Sequence, residues 1–448
     1  MQQTHSPAVL AALLLALYVV LSPSLVAAEP ILGEESLGPP AGGSPRNQEQ
    51  NEALALFKAG DYDGALRLWK EAARNNKDLP PAEAIMAMLF QQANMPDKAK
   101  TALERAMADA PDDPEPYLIA AGMALREGDA AKAESLFQKA LALLSSFSRS
   151  ATRKNYLLPR VHSGLVTTAE TRKDWPGAQK LCEQWLKDEP KSTVAMQRRA
   201  YCLFQQKNVD AALAELREVA KIEPKMLTPE AVLAQYYQRT GDQENAKKWM
   251  DAALAAAPKD VRTLLAAGQR AFEKGHLDEA RKHALAATRL DPQSLEVKLL
   301  QASVATFEKN YMAAELFFDA ALRQSPENFP ISNNLALVLV EQKDETKNRR
   351  ALEYAEANMK RLPGSPEAAS TYGFVLFRLG RLDEAEKALR IAAPIANSDI
   401  DTAYAIASVR AERGLKSEAR RVLETALKNA RPAMFRQEAE ELLQELKK

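Results

Sequence analysis

An all-helical solenoid of stacked helix–turn–helix units is the fold this 448-residue sequence predicts. Three observations predict it. Ala, Leu, Glu, Lys and Arg, all helix formers, recur along the chain, and alternating Val–Ile–Thr runs of strand type are hard to find. Similar residues return every 34 positions, Gly241 on Gly275 and Pro258 on Pro292. One position of that period is alanine in every copy. The composition agrees: hydrophobic residues make up 46% and charged residues 27%, as in ordinary globular chains, yet the length exceeds what one hydrophobic core serves. Sixty basic residues balance sixty acidic ones, so nucleic acid is not an expected partner.

The elements follow in order. Residues 1–28 carry no Asp, Glu, Lys or Arg and read as an export signal. The apolar run Ala8–Leu21 is short for a membrane span, Pro23 interrupts it, and Val26-Ala27-Ala28 precedes Glu29 as small residues precede a cleavage site. Cleavage after Ala28 leaves no stable membrane span. The segment before the run, Met1–Pro7, has His5 but no Lys or Arg, so retention as an N-terminal anchor is the alternative. No cysteine lies near the site, which argues against a lipoprotein, and no Asn-x-Ser/Thr sequon occurs. A bacterial periplasm, or secretion, is the expected destination. Residues 29–45, rich in Pro and Gly, read as a disordered linker.

The array spans 46–431. Copies start near Arg46 and at Pro80, Pro114, Pro159, Thr193, Leu227, Val261, Leu295, Phe329, Pro366 and Ile400, eleven in all. An eleven-residue insertion precedes Pro159, and a three-residue insertion lies within Lys343–Arg350. The invariant alanine opens each second helix: Ala65, Ala99, Ala133, Ala178, Ala212, Ala246, Ala280, Ala314, Ala351, Ala385 and Ala419. Facing it in the first helix is Ala or Gly in every copy but the fourth, where Val166 stands, because two helices approach closely only where neither presents a large side chain. Gly60, Gly128, Gly241, Gly275, Gly380 and Gly414 fall at the bend between helices, where positive φ relieves strain. Prolines such as Pro224, Pro258 and Pro292 close second helices. Residues 432–448 read as a C-terminal capping helix.

Gly60-Asp61-Tyr62…Ala65 and Gly268…Gly275…Ala280…Ala287…Pro292 resemble the tetratricopeptide-repeat (TPR) signature. The resemblance implies a right-handed superhelix whose first helices line a concave groove that binds protein segments. Asn334-Leu335-Ala336 through Tyr372-Gly373…Gly380…Ala385 is also similar to TPR proteins encoded with bacterial exopolysaccharide and exosortase systems.

Catalytic constellations are missing from the sequence. The four histidines, His5, His162, His276 and His283, form no His-Glu-x-x-His string, and neither a phosphate-binding Gly-rich loop nor a Gly-x-Ser-x-Gly elbow occurs. The acidic pair Asp112-Asp113 reads as a solvated helix end. No enzyme, cofactor or metal is expected. The groove positions that the resemblance implies give Leu265, Phe272, Leu299, Leu337, Val340, Phe374 and Phe377, an apolar lining suited to an apolar or helical protein segment. Family members that clamp a C-terminal carboxylate use Lys, Asn and Asn; here Leu299 and Ser303 stand at the first two places and Asn334 at the third. Cys182 and Cys202 fall on neighbouring helices, where they are either joined as a disulfide or packed as small buried hydrophobes. Arg149, Arg153, Lys154 and Arg160, beside Phe147 and Tyr156, make the insertion basic. It reads as a solvated loop, with docking of an acidic partner or polysaccharide as the alternative. The function expected is a non-catalytic exported scaffold of envelope or exopolysaccharide assembly; the alternative is a glycan-handling subunit of polysaccharide machinery.

Overall fold

The computed structural model describes residues 48–428 and 432–448, so the export signal and linker expected over 1–45 lie outside the described residues. Within them the chain forms helical hairpins and no strand. The first five hairpins are α1 (Gln48–Lys58) with α2 (Tyr62–Asn75), α3 (Ala82–Gln92) with α4 (Pro96–Asp109), α5 (Pro114–Arg126) with α6 (Ala130–Ser146), α7 (Ala151–Thr171) with α8 (Trp175–Asp188), and α9 (Thr193–Gln205) with α10 (Val209–Ile222). Then come α11 (Pro229–Arg239) with α12 (Gln243–Ala256), α13 (Val261–Glu273) with α14 (Leu277–Leu290), and α15 (Leu295–Phe307) with α16 (Tyr311–Gln324). The last are α17 (Phe329–Val340) with α18 (Glu345–Arg361), α19 (Pro366–Arg378) with α20 (Leu382–Ala392), and α21 (Ile400–Glu412) with α22 (Lys416–Ala426), followed by α23 (Arg436–Glu445). Two compact units divide between Tyr236 and Tyr237.

Each hairpin turns through one residue of left-handed backbone conformation. Glycine supplies it at the six bends expected, with φ of 74–85°. At the other five bends the same conformation falls on Asn94, Lys173, Lys207, Lys309 and Lys343, with φ of 55–67°. A Cβ makes that region costly for ordinary residues, so these five are held there by the helices they join. Asp, Asn or Ser residues begin most helices and accept a hydrogen bond from a first-turn N–H, as Asp61 does from Gly64 at 2.9 Å.

The packing alanines are fully buried in all eleven copies. At Gly373 an added Cβ would sit 2.6 Å from Leu389 Cγ, which is why the facing position stays small. In the fourth copy Val166 takes the facing position and is fully buried, while Gly164 on the same helix lies against the Phe137 ring of the preceding hairpin.

The two insertions are helical. Ordinary first helices have 13 residues and second helices 14, as in α13 and α14. Helix α6 has 17 and α7 has 21, so the eleven extra residues are three on α6 and eight on α7. The solvated loop expected there is corrected on this point. Helix α18, with 17, absorbs the three-residue insertion in the same way.

Candidate partner-binding site

The extension of α7 uses its basic residues internally. Arg153 is buried and forks onto Asp113 (2.7 and 2.8 Å) and Glu115 (2.6 and 3.2 Å). Burial lowers the guanidinium pKa, and the two carboxylates more than reverse that, so the net shift is upward. Asp113 is therefore a buried ion-pair partner, in correction of the solvated helix end expected for it. Arg160 lies 3.6 Å above its own Tyr156 ring, and Arg149 and Lys154 donate to the Ala73 and Ser145 carbonyls at 3.4 Å. Arg153 is thus unavailable to an acidic partner or a polysaccharide.

His162, also in α7, is buried against Trp185 and bonds Asp188 at 2.8 Å; burial lowers its pKa, with Asp188 opposing. Cys182 and Cys202 are free and fully buried, and the neighbouring Cys202 thiol together with burial raises the Cys182 thiol pKa. In the same unit a cavity of about 280 Å³ lies between α2, α3 and α4, with Lys98 Nζ 4.2 Å above the Tyr62 ring at its edge. No group of three metal-ligating side chains comes together among the described residues. Nor is any described helix long and apolar enough to cross a membrane.

In the C-terminal unit, the first helices carry the apolar positions singled out in the sequence. Leu265 (α13), Phe272 (α13), Leu299 (α15), Leu337 and Val340 (α17) and Phe374 (α19) are buried, each at most 8% exposed, and Phe377 is half-buried against the same cluster. The open lining expected of them is corrected: six of the seven are covered. Helix α17 shows the reason. It is apolar nearly all round, and Ile331 to Val340 are buried without a break, as happens to a helix with no polar face. Phe272 packs edge-on against Phe307 at 4.7 Å.

Within this apolar wall two carboxamides stand out. Asn333 and Asn334 are 0% and 1% exposed, and neither the nitrogen nor the oxygen of either side chain has a hydrogen-bond partner. Buried polar groups are ordinarily paired, and leaving one unpaired costs on the order of 1–3 kcal/mol. Asn333, Leu337 and Val340 fall at i, i+4 and i+7, so they share one helical face.

Further along, aromatic rings gather. Phe374 lies 4.5 Å from Phe435, 6.3 Å from Tyr404 and 6.4 Å from Phe377. The Arg378 guanidinium stands 4.7 Å over Phe374 while its Nε donates to Glu341 at 2.6 Å. Phe435 comes from the segment after α22. Asp401, on α21, accepts the Met434 and Phe435 backbone N–H at 3.1 and 2.8 Å, and Glu438 pairs with Lys309 at 2.7 Å. Sequence reading placed this segment only as a cap and missed its role at the wall. One signal was present: Met434 follows Ile400 by 34 residues, so α23 stands in register with a first helix.

The hairpins, the eleven left-handed bends and the first-helix wall define a helical-repeat solenoid. Tetratricopeptide-repeat models match residues 56–121, 171–236, 231–260 and 265–329, and the chain is a TPR protein. Solved structures similar to it include a tetratricopeptide repeat protein from Parabacteroides merdae (15% identity, 58% of this chain and 100% of that one, TM-score 0.45). Others are yeast Tom70 (16%, 89% and 95%, TM-score 0.35) and the APC/C hetero-tetramer Cut9-Hcn1 (12%, 92% and 91%, TM-score 0.43). No curated protein sequence matches the chain. The repeats point to a scaffold that binds proteins.

Proposed function

We propose that the chain is a non-catalytic exported scaffold that binds a segment of another protein along the first-helix wall of its C-terminal unit. Asn333 and Asn334 carry this reading. Two buried, unpartnered carboxamides on an apolar wall are costly in the chain alone, and each offers one donor group and one acceptor to a passing main chain. Leu337 and Val340, buried on the same face, keep the surroundings of Asn333 apolar and so raise the cost of its unpaired amide. Export is supported by the uncharged residues 1–28 with their apolar run and small-residue site, and a cell-envelope setting follows from it.

The test compares the wild type with Asn333→Leu as bait on the envelope fraction of the source cells. Removing an unpaired amide relieves part of its cost, so the variant should melt at a higher temperature while losing proteins the wild type retains. Identical captured sets for both baits would overturn the proposed site. N-terminal sequencing of mature protein should begin at or near Glu29; an intact Met1 in a cytoplasmic pool would overturn the export.

A further inference from the structure

Residues 432–448 stand in register with a first helix, but their start also reaches past the neighbouring hairpin, to Phe374 and Lys309. Phe435 inserts between Phe374 and Tyr404, rings from two different repeats, with Arg378 alongside. The start of α23 has no side-chain cap of its own. Instead the Asp401 carboxylate, from α21, receives the Met434 and Phe435 N–H groups, so the wall holds the two residues that lead into the helix. Three residues beyond Phe435, Glu438 reaches Lys309, at a bend 129 positions earlier in the chain. On the outside, Gln437, Glu440, Glu441, Gln444 and Glu445 are exposed, so nothing covers the helix from that side.

The attachment also carries internal costs. One Glu438 oxygen is buried without a partner. Asp401 lies close to Asp399 and Glu438, and Glu438 close to Glu341, while Lys309 and Arg378 are the cations paired there. Gathering four carboxylates around two cations in a desolvated place opposes closure.

We propose that this segment is an internal ligand, occupying the aromatic end of the first-helix wall and exchanging with a partner segment of the same chemistry. That chemistry is an aromatic side chain at the start of a helix, followed three residues later by a carboxylate. The ring packs on Phe374 and Tyr404, Asp401 receives the two N–H groups just before the helix, and the carboxylate meets Lys309. Occupancy by the chain's own segment stands on the contacts above; the partner that displaces it rests on the protein-binding reading.

The experiment uses the full chain and a fluorescent peptide of residues 432–448 as the probe, with binding read by anisotropy. In the wild type the tethered segment competes at an effective concentration on the order of millimolar, so the free peptide should bind weakly. Phe435→Ala weakens the tethered copy, and the peptide should then bind about tenfold tighter or more, as loss of that competitor requires. Glu438→Lys sets two cations against each other at the rim without touching the aromatic packing, and it should act in the same direction. Melting of each variant, measured alongside, shows that the repeats remain folded. Equal peptide affinity for wild type and for a folded Glu438→Lys variant overturns the internal-ligand proposal. If the variants do bind the peptide, yet capture from the envelope is unchanged by Asn333→Leu, the internal site stands and the proposed partner site falls.

Discussion

Lys207 takes up, with a φ of 67°, the left-handed turn that Gly241 takes with 83° at the next bend, 34 residues later. Same place in the repeat, same backbone, and a side chain in one case only. The exposed Lys207 side chain touches no partner that would offset its Cβ strain.

Lys207→Gly should therefore stabilise the chain. The left-handed conformation costs a residue with a Cβ roughly 1–2 kcal/mol, and glycine returns roughly 0.5–1 kcal/mol of that through the entropy of the unfolded chain. A net gain of about 0.5–1 kcal/mol is expected, read as a shift in chemical denaturation midpoint. The same change at Lys309 should gain less, because it also removes the pair with Glu438.

Arg153→Met should be among the most damaging single changes in the N-terminal unit. It leaves Asp113 and Glu115 buried without their ion-pair partner, and breaking a buried pair in this way costs roughly 3–5 kcal/mol. The loss should show first in hydrogen exchange around 113–115 and 150–158. Exposed Arg149→Met, measured in parallel, should change stability by less than about 0.5 kcal/mol.

The Cys182 and Cys202 thiols are buried neighbours, and an oxidising compartment should join them. Protein recovered from such a compartment should carry no titratable thiol after denaturation. Its melting temperature should fall on reduction, since closing a loop of this size is worth about 3 kcal/mol. Two free thiols in that material would show that the pair remains a packing contact.

Attachment of the C-terminal segment should weaken as pH rises. Burial pushes the Asp401 carboxyl up from its ordinary 3.8 to about 7, with Asp399 adding to the rise and the Phe435 and Met434 N–H groups opposing it. A group whose pKa is raised by closure contributes stability that is full below the open-state value and is lost as pH climbs through the closed-state value. Hydrogen exchange of 434–445 should therefore quicken, beyond its intrinsic pH dependence, between about pH 4 and about pH 7. Asp401→Asn should flatten that excess. Asp399, Glu341, Glu438, Glu367, Arg378, Lys309 and Tyr311 also face this place, so the variant isolates one contribution among them.

The array was legible because its determinants are local and periodic. Ala280 and Ala314, or Gly241 and Gly275, each repeat a steric demand at the same step of the chain, and the demand is visible without knowing what lies across from it. The wall was harder. Leu299 and Leu337 show the right spacing for an exposed lining, but spacing does not say which faces are covered; α17 is apolar nearly all round and is buried for that reason. Arg153 misled for a related reason: its partners sit about 40 residues away, beyond the reach of any local pattern. The role of Phe435 rests likewise on Phe374 and Asp401, which contribute through the tertiary fold.

The bridge from Lys309 to Glu438 has a mechanical consequence. In a stack whose members grip mainly their neighbours, a pull on one end peels hairpins away singly, each at modest force. Here the last hairpins lie inside a loop of chain whose C-terminal end is fastened twice, by that ion pair and by the ring of Phe435. Tension applied at the C-terminus loads the fastening before it reaches α22, α21 or α20. Such an end should yield abruptly, as a clasp does, and only afterwards stretch like a spring.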